Sequence, residues 1–490
     1  MAEPSRRTIG GLARAIGLEA PAYEDVPLLG VALDSRKVKQ GFAFFAVPGN
    51  KLDGASFIPA AADAGATVII GEGPRPADLT LTVFYLRSKD VRRALPKAAA
   101  YMYSAQPGTI VAVTGTAGKT SVAEFTRQIF AKLGRKAGSL GTLGFIGPKG
   151  PEYGSLTTPD AVTLHQRLEA LAKAGITHLA MEASSHGLDQ FRLDGVNLKA
   201  AAFTNLGRDH LDYHPDMDSY FAAKLRLFEE LLPKDAPAIV NLDGDRGAEA
   251  AVAAGFAGRA VVSVGKRGQD ISLNSAEAFG FGQRLVLGHK GKTYEVTLPL
   301  VGAFQVQNAL VAAALAISTG EKPKAVFAAL ESLTGVSGRL EKVGVFNAAP
   351  VFVDYAHKPE ALQHALLAIR PSVSGKLIVV FGCGGDRDPG KRPIMGRIAS
   401  EYADLVVVTD DNPRSEDPAA IRQAVMAGAP EAIEIGDRAQ AIRDAIHYLS
   451  AGDALLIAGK GHETGQIVGS ETLPFSDHEV AQGVIGELAG

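Results

Sequence analysis

The chain has 490 residues, 46% of them hydrophobic and 21% charged, so we expect about three folded domains and exclude a largely disordered chain. The formal net charge of −3 gives no electrostatic basis for binding nucleic acid or an anionic membrane, and the one cysteine, Cys383, excludes an internal disulfide framework. Without a bilayer-length apolar run or a signal-peptide core, the sequence predicts a cytoplasmic protein with no membrane insertion.

Residues 1–106 are predicted to form a small α/β unit. Two apolar runs joined by a polar turn predict two strands, in VALDSRKVKQGFAFFAVPGNKLDG. The end of a helix and a third strand are predicted in AAADAGATVIIG. From composition alone Ser35 and Arg36 are ordinary turn residues, and no acid–base or metal-binding constellation appears in this unit.

The second unit, residues 107–336, opens with a predicted strand, a glycine-rich turn and a helix, in TIVAVTGTAGKTSVAEFTRQIF. The turn offers backbone N–H groups at a helix N-terminus, which is the arrangement that binds phosphate. Lys119 reaches terminal phosphates from such a turn, and the Thr120 hydroxyl ligates the accompanying Mg²⁺. Val113 stands where the general motif has its first glycine, and the alternative is a strand-to-helix turn without a ligand.

Two further segments of this unit carry polar residues after apolar runs. In TTPD, helix-cap chemistry alone explains Thr158 as the N-cap, with Pro159 at the first helical position and Asp160 in the first turn. Glu182 ends a predicted strand in HLAMEASSHGL, where a carboxylate is well placed to hold Mg²⁺. The alternative for Glu182 is a solvated acid at a strand end.

A histidine-rich segment follows in FTNLGRDHLDYHPD. The spacing of His210 and His214 is that of a two-histidine zinc site on a helix. However, Pro215 disfavours helix at His214, and no HExxH glutamate lies between the two histidines. Zinc is therefore the weaker interpretation of this segment.

Lys224 falls inside the apolar arc of a predicted helix. At about 100° per residue the arc contains Phe221, Leu225 and Phe228, whereas Arg226 falls outside it. A lysine on a buried face either extends its amine to solvent or loses its proton through burial. A neutral amine reacts with CO₂ to give a carbamate, an anion that binds metal ions.

The third unit, residues 337–490, follows a predicted hinge in GVSGRLEKV and repeats strand and helix, which predicts a parallel, doubly wound sheet. Polar and charged residues end its four predicted strands, in APVFVDYAH, KLIVVFGCGGDRD, DLVVVTDDNPR and DALLIAGKGHE. Since ligands bind beyond the carboxyl ends of such strands, these ends predict a site. Before it, Asn308 is predicted to open a small-residue helix, and Arg339 is either a surface charge or a ligand contact.

Several segments together resemble the Mur ligases and their relative folylpolyglutamate synthase. The resemblance rests on TGTAGKT, MEASSHGL, the YxxAKxxLF pattern around Lys224 and VDYAHKPEAL. LDSR followed by FFAVPGN resembles the uridine-nucleotide domain of the MurE-type ligases. Ala117 and Gln305 stand where that family usually has asparagine. The resemblance covers nearly the whole chain.

The implied fold class is α/β with three domains. These are a small α/β uridine-nucleotide domain (residues 1–106), a central P-loop ATPase-like domain (107–336) and a C-terminal Rossmann-like doubly wound domain (337–490). The implied cofactors are ATP and Mg²⁺.

The resemblance also implies site residues. ATP would contact Gly115, Thr116, Ala117, Gly118, Lys119, Thr120, Ser121, Asn308, Arg339 and Asp354. Mg²⁺ would be held by Thr120, Glu182, His210 and a carbamylated Lys224. Catalytic roles would fall to Lys119, Lys224 and His210. Asn205 and Asp209 would organise the loop. Leu33, Ser35 and the Asn50–Leu52 turn would face uridine diphosphate, and the muramoyl peptide would contact Thr157, Thr158, Ser184, Gln190 and Arg192.

The DNPR run at residues 411–414 is similar to the motif of the members that add meso-diaminopimelate. The implied amino-acid contacts are Arg387, Asp411, Asn412, Pro413, Arg414, Gly459 and Glu463. Arg387 and Arg414 would clamp the distal carboxylate as forked donors, and Glu463 would pair with the distal ammonium. Lysine has no distal carboxylate and would leave the arginine unpaired.

The implied function is that of an ATP-dependent amide ligase in cytoplasmic peptidoglycan precursor synthesis. It would join meso-diaminopimelate to UDP-N-acetylmuramoyl-L-alanyl-D-glutamate through an acyl phosphate, as a monomer and without nucleic acid. Two alternatives remain open: a folylpolyglutamate synthase, and a non-ligase P-loop switch or motor.

Overall fold

A computed structural model of the protein describes residues 7–49, 53–152 and 156–489. The chain divides into two compact units. The first contains Met1–Lys119, Phe130–Ser263 and Ser318–Gly320, and the second contains Thr120–Ile129, Val264–Ile317 and Glu321–Gly490. The predicted Asn50–Leu52 turn lies outside the described residues. No helix within the described part of the chain is both long and apolar enough to cross a bilayer.

The N-terminal part of the first unit is a four-stranded parallel sheet with helices on both faces. Its elements are α1 (Ile9–Ala15), β1 (Gly30–Ala32), β2 (Phe42–Phe45), α2 (Ile58–Asp63), β3 (Ala66–Gly71), β4 (Phe84–Arg87) and α3 (Val91–Met102), with 3₁₀ turns at Ser35–Lys37 and Gly54–Phe57. Phe45 and Ile70 pack toward α1 and α3, whereas Phe44 and Ile69 pack toward α2. The three predicted strands are confirmed, and the partly exposed β4 escaped prediction because its burial pattern is weak.

A larger sheet and its connecting helices follow in the chain; of their residues, Thr120–Ile129 and Val264–Gly265 belong to the second unit and the rest to the first. Its elements are β5 (Thr109–Thr114), α4 (Lys119–Lys132), β6 (Ala137–Gly141), β7 (Gly144–Gly147), β8 (Gly150–Glu152), α5 (Ala161–Lys173), β9 (His178–Glu182), α6 (Ser185–Asp189), β10 (Leu198–Phe203), α7 (Met217–Arg226), a π-helix (Leu227–Leu231), β11 (Ala238–Asn241), α8 (Gly247–Phe256) and β12 (Val261–Gly265). The strand order within this unit is β11, β10, β5, β9, β6, β7, β8. Strands β5, β9 and β10 are parallel neighbours, so the segments that follow them meet at one edge of the sheet.

The second unit begins with an antiparallel meander and two helices. These are β13 (Ile271–Phe279), β14 (Gly282–His289), β15 (Lys292–Leu298), α9 (Ala303–Ser318) and α10 (Pro323–Leu330). Helix α9 starts at Ala303, so the prediction that Asn308 opens it is wrong. Gly302, with φ of +95°, supplies the left-handed turn at the true start of the helix.

A doubly wound sheet completes the second unit. Its elements are β16 (Glu341–Phe346), β17 (Ala349–Asp354), α11 (Pro359–Ile369), a 3₁₀ turn (Arg370–Ser372), β18 (Leu377–Phe381), α12 (Lys391–Tyr402), β19 (Leu405–Val408), α13 (Pro418–Met426), β20 (Ile433–Glu434), α14 (Arg438–His447), β21 (Ala454–Ala458), β22 (Gly465–Val468), β23 (Glu471–Pro474) and α15 (Asp477–Ala489).

The order of this sheet is β16, β17, β21, β18, β19, β20, with only β16 antiparallel. Residues of α11, α12 and α13 cover one face, and residues of α14 and α15 cover the other. The predicted parallel, doubly wound sheet is confirmed. The four predicted strand ends share one edge of it, because β17, β21, β18 and β19 run in the same direction.

Candidate functional site

The loop between β5 and α4 is held from the segment after β10. Gly115 has φ of +146°, and a Cβ atom there would overlap the Thr204 hydroxyl. Thr204 Oγ1 donates to the Ala117 carbonyl oxygen over 2.7 Å, and the Ala117 N–H donates to Asn205 Oδ1 over 3.0 Å. Thr116 Oγ1 accepts from the Gly207 N–H over 2.8 Å. The loop is therefore fixed before any ligand binds, and its close packing requires glycine at position 115.

Two lysines meet at this loop. Lys119 Nζ donates to the carbonyl oxygens of Gly115 and Thr116 over 2.8 and 2.9 Å. Lys224 Nζ donates to the same Gly115 oxygen over 2.8 Å and lies 4.2 Å from the centre of the Tyr220 ring. The sequence assigned both lysines to one site, and the structure brings them together.

The amine of Lys224 lies in a buried environment. Its side chain is 1% exposed, which agrees with the predicted position on the apolar face of α7. Burial, and then the positive charge of Lys119, lower the pKa of Lys224 from 10.5 to about 6. At neutral pH the amine is therefore largely uncharged, and a neutral amine is nucleophilic toward CO₂.

The predicted helical face is wrong at Arg226, which is buried instead of exposed. Arg226 forms a bidentate ion pair with Asp194, with both N–O distances 2.7 Å, and stacks on the Phe191 ring. The predicted apolar arc assumed the α-helical rotation of about 100° per residue. That rotation does not hold after Arg226, because the chain continues as the π-helix Leu227–Leu231.

Glu182 ends β9 with its side chain 1% exposed. Its carboxylate accepts from the Thr142 N–H over 2.8 Å and from Thr142 Oγ1 over 3.3 Å, and Thr142 Oγ1 lies 3.0 Å from Thr157 Oγ1. Across the described ranges no cation pairs with this carboxylate. A buried carboxylate without a cationic partner is unfavourable alone, and its oxygen donors suit a hard divalent cation.

Thr158 does not cap α5, contrary to the prediction. Asp160 is the N-cap, and its carboxylate accepts from the N–H groups of Val162 and Thr163, each over 3.1 Å. Thr158 is buried, and its hydroxyl donates to the Glu182 carbonyl oxygen over 3.1 Å. The Thr158 hydroxyl is engaged with the backbone of Glu182, and the Asp160 carboxylate caps the helix instead.

Ser184, Gln190 and Arg192 gather around Thr158. Ser184 Oγ donates to Thr158 Oγ1 over 3.0 Å, and Arg192 Nη1 donates to the Thr158 carbonyl oxygen over 2.7 Å. Arg192 Nη2 donates to Gln190 Oε1 over 2.7 Å. Burial lowers the pKa of Arg192. The residues implied for the muramoyl peptide, Thr157 included, thus lie together beside the buried Glu182.

His210 lies in a loop with φ of +54°, outside any helix. Its ring packs edge-on to His186 at a centroid distance of 4.9 Å, and His186 packs against His214 at 5.8 Å. Within residues 7–49, 53–152 and 156–489, no group of three or more His, Cys, Asp or Glu side chains is arranged to hold a metal ion. The helical two-histidine arrangement considered for zinc is absent from this segment, because residues 211–216 are turns and bends.

Leu33 and Ser35 follow β1 in the N-terminal sheet. Leu33 is 38% exposed, Ser35 is half-buried, and Asp34 between them caps the 3₁₀ turn by accepting from the Arg36 N–H over 3.0 Å. Both side chains are therefore accessible to a ligand at the end of β1.

In the second unit, Asn308 and Arg339 are linked through Gln305. Asn308 Nδ2 donates to Gln305 Oε1 over 3.1 Å, and Gln305 Nε2 donates to the Arg339 carbonyl oxygen over 3.2 Å. Asp354 Oδ2 accepts from the Leu340 N–H over 2.6 Å. Burial raises the pKa of Asp354 to about 6, against the opposing effect of Arg339.

Arg387 and Arg414 lie on either side of Gly384. A Cβ atom on Gly384 would lie 2.8 Å from Arg414 Nη1 and 3.9 Å from Arg387 Cγ. Their hydrogen bonds go to backbone oxygens, Arg414 to Gly385 over 2.8 Å and Arg387 to Asp386 over 3.1 Å. Neither guanidinium forms an ion pair with any residue that the structure describes. A guanidinium group that donates only to backbone oxygens can also bind an anionic group.

The other implied amino-acid contacts adjoin these arginines. Asp411 and Asn412 are buried, and a Cβ atom on Gly459 would lie 2.6 Å from Asp411 Oδ2. Asn412 Nδ2 donates to Glu463 Oε2 over 3.1 Å. Arg414 has φ of +53°, and the buried Pro413 precedes it. The DNPR run and the loop after β21 therefore form one site.

Sequence reasoning missed two buried cations behind this site. Lys460 and Arg438 are 0% and 2% exposed. Arg438 forms a fully buried ion pair with Asp477 and donates to the carbonyl oxygen of Ala458 over 2.9 Å. Lys460 lies in the GKGHE run, where a lysine two residues after a buried strand was a usable signal, whereas nothing local distinguishes Arg438.

Comparisons with known proteins match three family models in succession. These are "Mur ligase family, catalytic domain" at residues 28–103, "Mur ligase middle domain" at residues 113–316 and "Mur ligase, glutamate ligase domain" at residues 338–461. The three-domain α/β architecture predicted from the sequence is confirmed by these matches.

Individual relatives cover nearly the whole chain. Proteins named UDP-N-acetylmuramoyl-L-alanyl-D-glutamate--2,6-diaminopimelate ligase from Bradyrhizobium diazoefficiens and Mesorhizobium japonicum are 58% and 54% identical to it. The first match covers 94% of this chain and 95% of the relative, and the second covers 98% and 99%. A solved structure of a ligase with that name is 31% identical, with a TM-score of 0.77, and covers 99% of this chain and 100% of its own. The chain therefore belongs to the Mur ligase family.

Proposed function

We propose that this chain is an ATP-dependent amide ligase that joins meso-2,6-diaminopimelate to the D-glutamate of UDP-N-acetylmuramoyl-L-alanyl-D-glutamate. The observation that carries the proposal is the 58% identity, over 94% of the chain, to a relative named for that reaction. The guanidinium groups of Arg387 and Arg414, which donate only to backbone oxygens, support the amino-acid substrate independently.

The loop between β5 and α4 is the ATP site of the proposal. Its backbone amides from Gly115 to Ser121 cradle the phosphates, and Lys119 exchanges its two carbonyl acceptors for phosphate oxygens. Within the second unit, Asn308, Arg339 and Asp354 are the residues assigned to ATP. The fixed loop supports this assignment, because a preformed set of donors loses little conformational entropy on binding.

Mg²⁺ is the metal that the donor set fits best. Thr120, Glu182, His210 and a carbamate on Lys224 would hold it, and the metal would supply charge neutralisation for the transferred phosphoryl group. The largely neutral amine of Lys224 and the unpaired carboxylate of Glu182 support the fit. Carbamate formation joins the Lys224 nitrogen to the carbon of CO₂ and releases one proton to solvent.

The acceptor lies next to this loop. Leu33 and Ser35 hold the uridine diphosphate, and Thr157, Ser184, Gln190 and Arg192 hold the muramoyl peptide. Thr158 is buried, so its contribution is to position Ser184 and Arg192. The Arg192 guanidinium supplies the positive charge that a peptide carboxylate requires.

The reaction proceeds in two steps. An oxygen of the D-glutamate γ-carboxylate attacks the γ-phosphorus of ATP and ADP leaves, while Lys119 and the loop amides stabilise the charge on the phosphoryl oxygens. The amine of diaminopimelate then attacks the acyl carbon, the C–O bond to phosphate breaks, and the amine loses a proton. The departing phosphate retains one oxygen from the original carboxylate.

The amino acid is selected by its distal end. Arg387 and Arg414 bind the distal carboxylate, and Glu463 binds the distal ammonium, with Asp411, Asn412, Pro413 and Gly459 forming the walls. Lysine would leave the two guanidinium groups unpaired, and a site built for a charged group rejects an analogue that lacks it.

The wider proposal follows the same reasoning. The domains span residues 1–106, 107–336 and 337–490, and the protein acts as a cytoplasmic monomer in peptidoglycan precursor synthesis. Its partners are the nucleotide-linked dipeptide and diaminopimelate, without nucleic acid.

Phosphate release with single omissions tests the proposal. We expect release from ATP only when the nucleotide-linked dipeptide and meso-diaminopimelate are both present, with a product heavier by one diaminopimelate less water. Release that needs neither substrate would indicate a P-loop switch or motor. Turnover with a folate and glutamate, but not with the dipeptide, would indicate a folylpolyglutamate synthase.

A further inference from the structure

Lys460 is a fully buried lysine beside the proposed amino-acid site. It is the second residue after β21, and its side chain is 0% exposed. A buried ammonium is costly unless acceptors surround it. Its Nζ donates to Asn412 Oδ1 over 2.9 Å and lies 3.4 Å from Glu463 Oε2. The lysine therefore contacts two residues of the site without being exposed to a ligand itself.

The contacts of Asn412 fix which way its amide points. Two donors approach Oδ1: Lys460 Nζ over 2.9 Å and the Ile467 N–H over 2.9 Å. Neither donor could pair with an NH₂ group, so the oxygen must lie on their side. The Nδ2 group then points to Glu463 and donates to Oε2 over 3.1 Å. The ammonium of Lys460 and the Ile467 N–H thus together set the orientation of the amide that holds Glu463, and Lys460 is the side chain among the two donors.

Glu463 is held through one oxygen only. Both the Asn412 bond and the Lys460 contact fall on Oε2, and within the described ranges Oε1 accepts no hydrogen bond. The carboxylate is 35% exposed, so Oε1 is accessible to a ligand. An oriented carboxylate with one free oxygen is suited to an ammonium group.

We propose that Lys460 is a positioning and specificity-determining residue, which orients Asn412 so that Glu463 presents Oε1 to the distal ammonium of the amino-acid substrate. This inference rests on the proposed function. It goes beyond it by assigning recognition of the distal ammonium to a lysine that never touches the substrate.

The test uses two amino acids that differ only in that ammonium. 2-Aminopimelate retains the reacting amine and the distal carboxylate of meso-diaminopimelate but lacks the distal amine. kcat and KM are measured for both with wild-type protein, K460M, K460R and the control K376M, which changes an exposed lysine in the same unit. KM for ATP is measured in parallel.

For K460M we expect kcat/KM for meso-diaminopimelate to fall about tenfold or more and kcat/KM for 2-aminopimelate to stay within about twofold, since one oriented charged hydrogen bond is lost. K460R, which keeps the charge, should retain part of the preference for meso-diaminopimelate, and K376M should match wild type. In the E463Q variant, adding K460M should not further reduce the preference for meso-diaminopimelate over 2-aminopimelate, because Lys460 acts on that preference through Glu463.

Equal losses for the two amino acids, or an unchanged preference, would overturn the inference. If the K460M variant does not fold, the N412D variant provides the test of the inference. Its added carboxylate oxygen would repel Glu463, so the preference for meso-diaminopimelate should collapse in that variant too, and a retained preference would reject the inference. Wild-type protein that turns over neither amino acid would instead reject the proposed function.

Discussion

The amines of Lys119 and Lys224 donate to the same acceptor, the Gly115 carbonyl oxygen, each over 2.8 Å. Two cations so close repel one another, and the positive charge of Lys119 is one cause of the lowered pKa of Lys224. We therefore expect the two lysines to have different roles at the phosphate loop. In the proposed mechanism Lys119 binds phosphate, and Lys224, with its lowered pKa, is the amine that reacts with CO₂.

Replacing Lys224 should remove the metal-binding carbamate while leaving the loop in place. We expect Lys224→Ala to lower kcat about 100-fold or more, as does loss of one group that stabilises transition-state charge. Added short carboxylates such as acetate should restore part of the rate, because they occupy the same space with the same charge. Steady-state kinetics with and without acetate measure this.

The matched control for that variant is Lys234→Ala, which alters an exposed lysine of the same unit. Its rate should equal wild type and not respond to acetate. Unchanged activity in Lys224→Ala would make Lys224 a packing residue.

The carbamate should also depend on pH. Since the folded pKa of Lys224 is about 6, its amine is neutral above that pH and protonated below it. With ¹³C-labelled bicarbonate, we expect a carbamate ¹³C resonance at pH 8 that is lost as the pH falls below about 6. Lys224→Arg should give no such resonance at any pH, and its appearance in that variant would contradict the assignment.

The same pKa shift predicts how stability depends on pH. The unfolded lysine, with a pKa near 10.5, binds its proton more tightly than the folded one, so the free energy of unfolding should rise with pH between about 6 and 10.5. Chemical denaturation of wild type and Lys224→Met across that range measures the contribution. A Lys224→Met profile with the same slope as wild type would contradict the burial of a neutral amine.

Selectivity for diaminopimelate should depend on Arg414. We expect Arg414→Ala to lower kcat/KM for meso-diaminopimelate about 10- to 100-fold, the effect of losing a charged hydrogen-bond donor, and to leave the low rate with lysine unchanged. The exposed Arg397 of α12 provides the control variant Arg397→Ala. If lysine proves the better acceptor for wild-type protein, the role assigned to Arg414 is wrong.

The buried pair Arg438–Asp477 should stabilise the C-terminal sheet beneath the same site. Both side chains are 0% exposed, with an N–O distance of 2.7 Å. Asp477→Ala leaves a buried guanidinium unpaired, and we expect it to lower the free energy of unfolding by about 3–5 kcal/mol. Urea denaturation measures the change.

Two comparisons test the cause of that loss. Arg438→Met combined with Asp477→Leu should recover most of the stability, because no unpaired charge remains. Glu487→Ala, which breaks the exposed Arg443–Glu487 pair on α14 and α15, should change it little. A double variant no more stable than Asp477→Ala would contradict an electrostatic origin.

The sequence predicted the buried strands that carry the candidate site residues at their ends, because apolar runs and polar ends depend on neighbours along the chain. The predictions from sequence were wrong or incomplete where contacts with residues distant along the chain determine the structure. Asp160, not Thr158, caps α5, since the Thr158 hydroxyl bonds instead to the backbone of Glu182. Arg226 is buried because Asp194 lies across from it. Arg438 and Lys460 were missed because their partners, Asp477 and Asn412, are tens of residues away.

The transfer of oxygen from the acceptor carboxylate to phosphate tests the central claim most directly. The dipeptide substrate is labelled with ¹⁸O in the γ-carboxylate of D-glutamate and incubated with ATP, Mg²⁺ and meso-diaminopimelate, and the released phosphate is analysed by mass spectrometry. Formation of the amide through an acyl phosphate places one ¹⁸O atom in each phosphate. Phosphate that carries no ¹⁸O, while the amide product accumulates, would contradict the account.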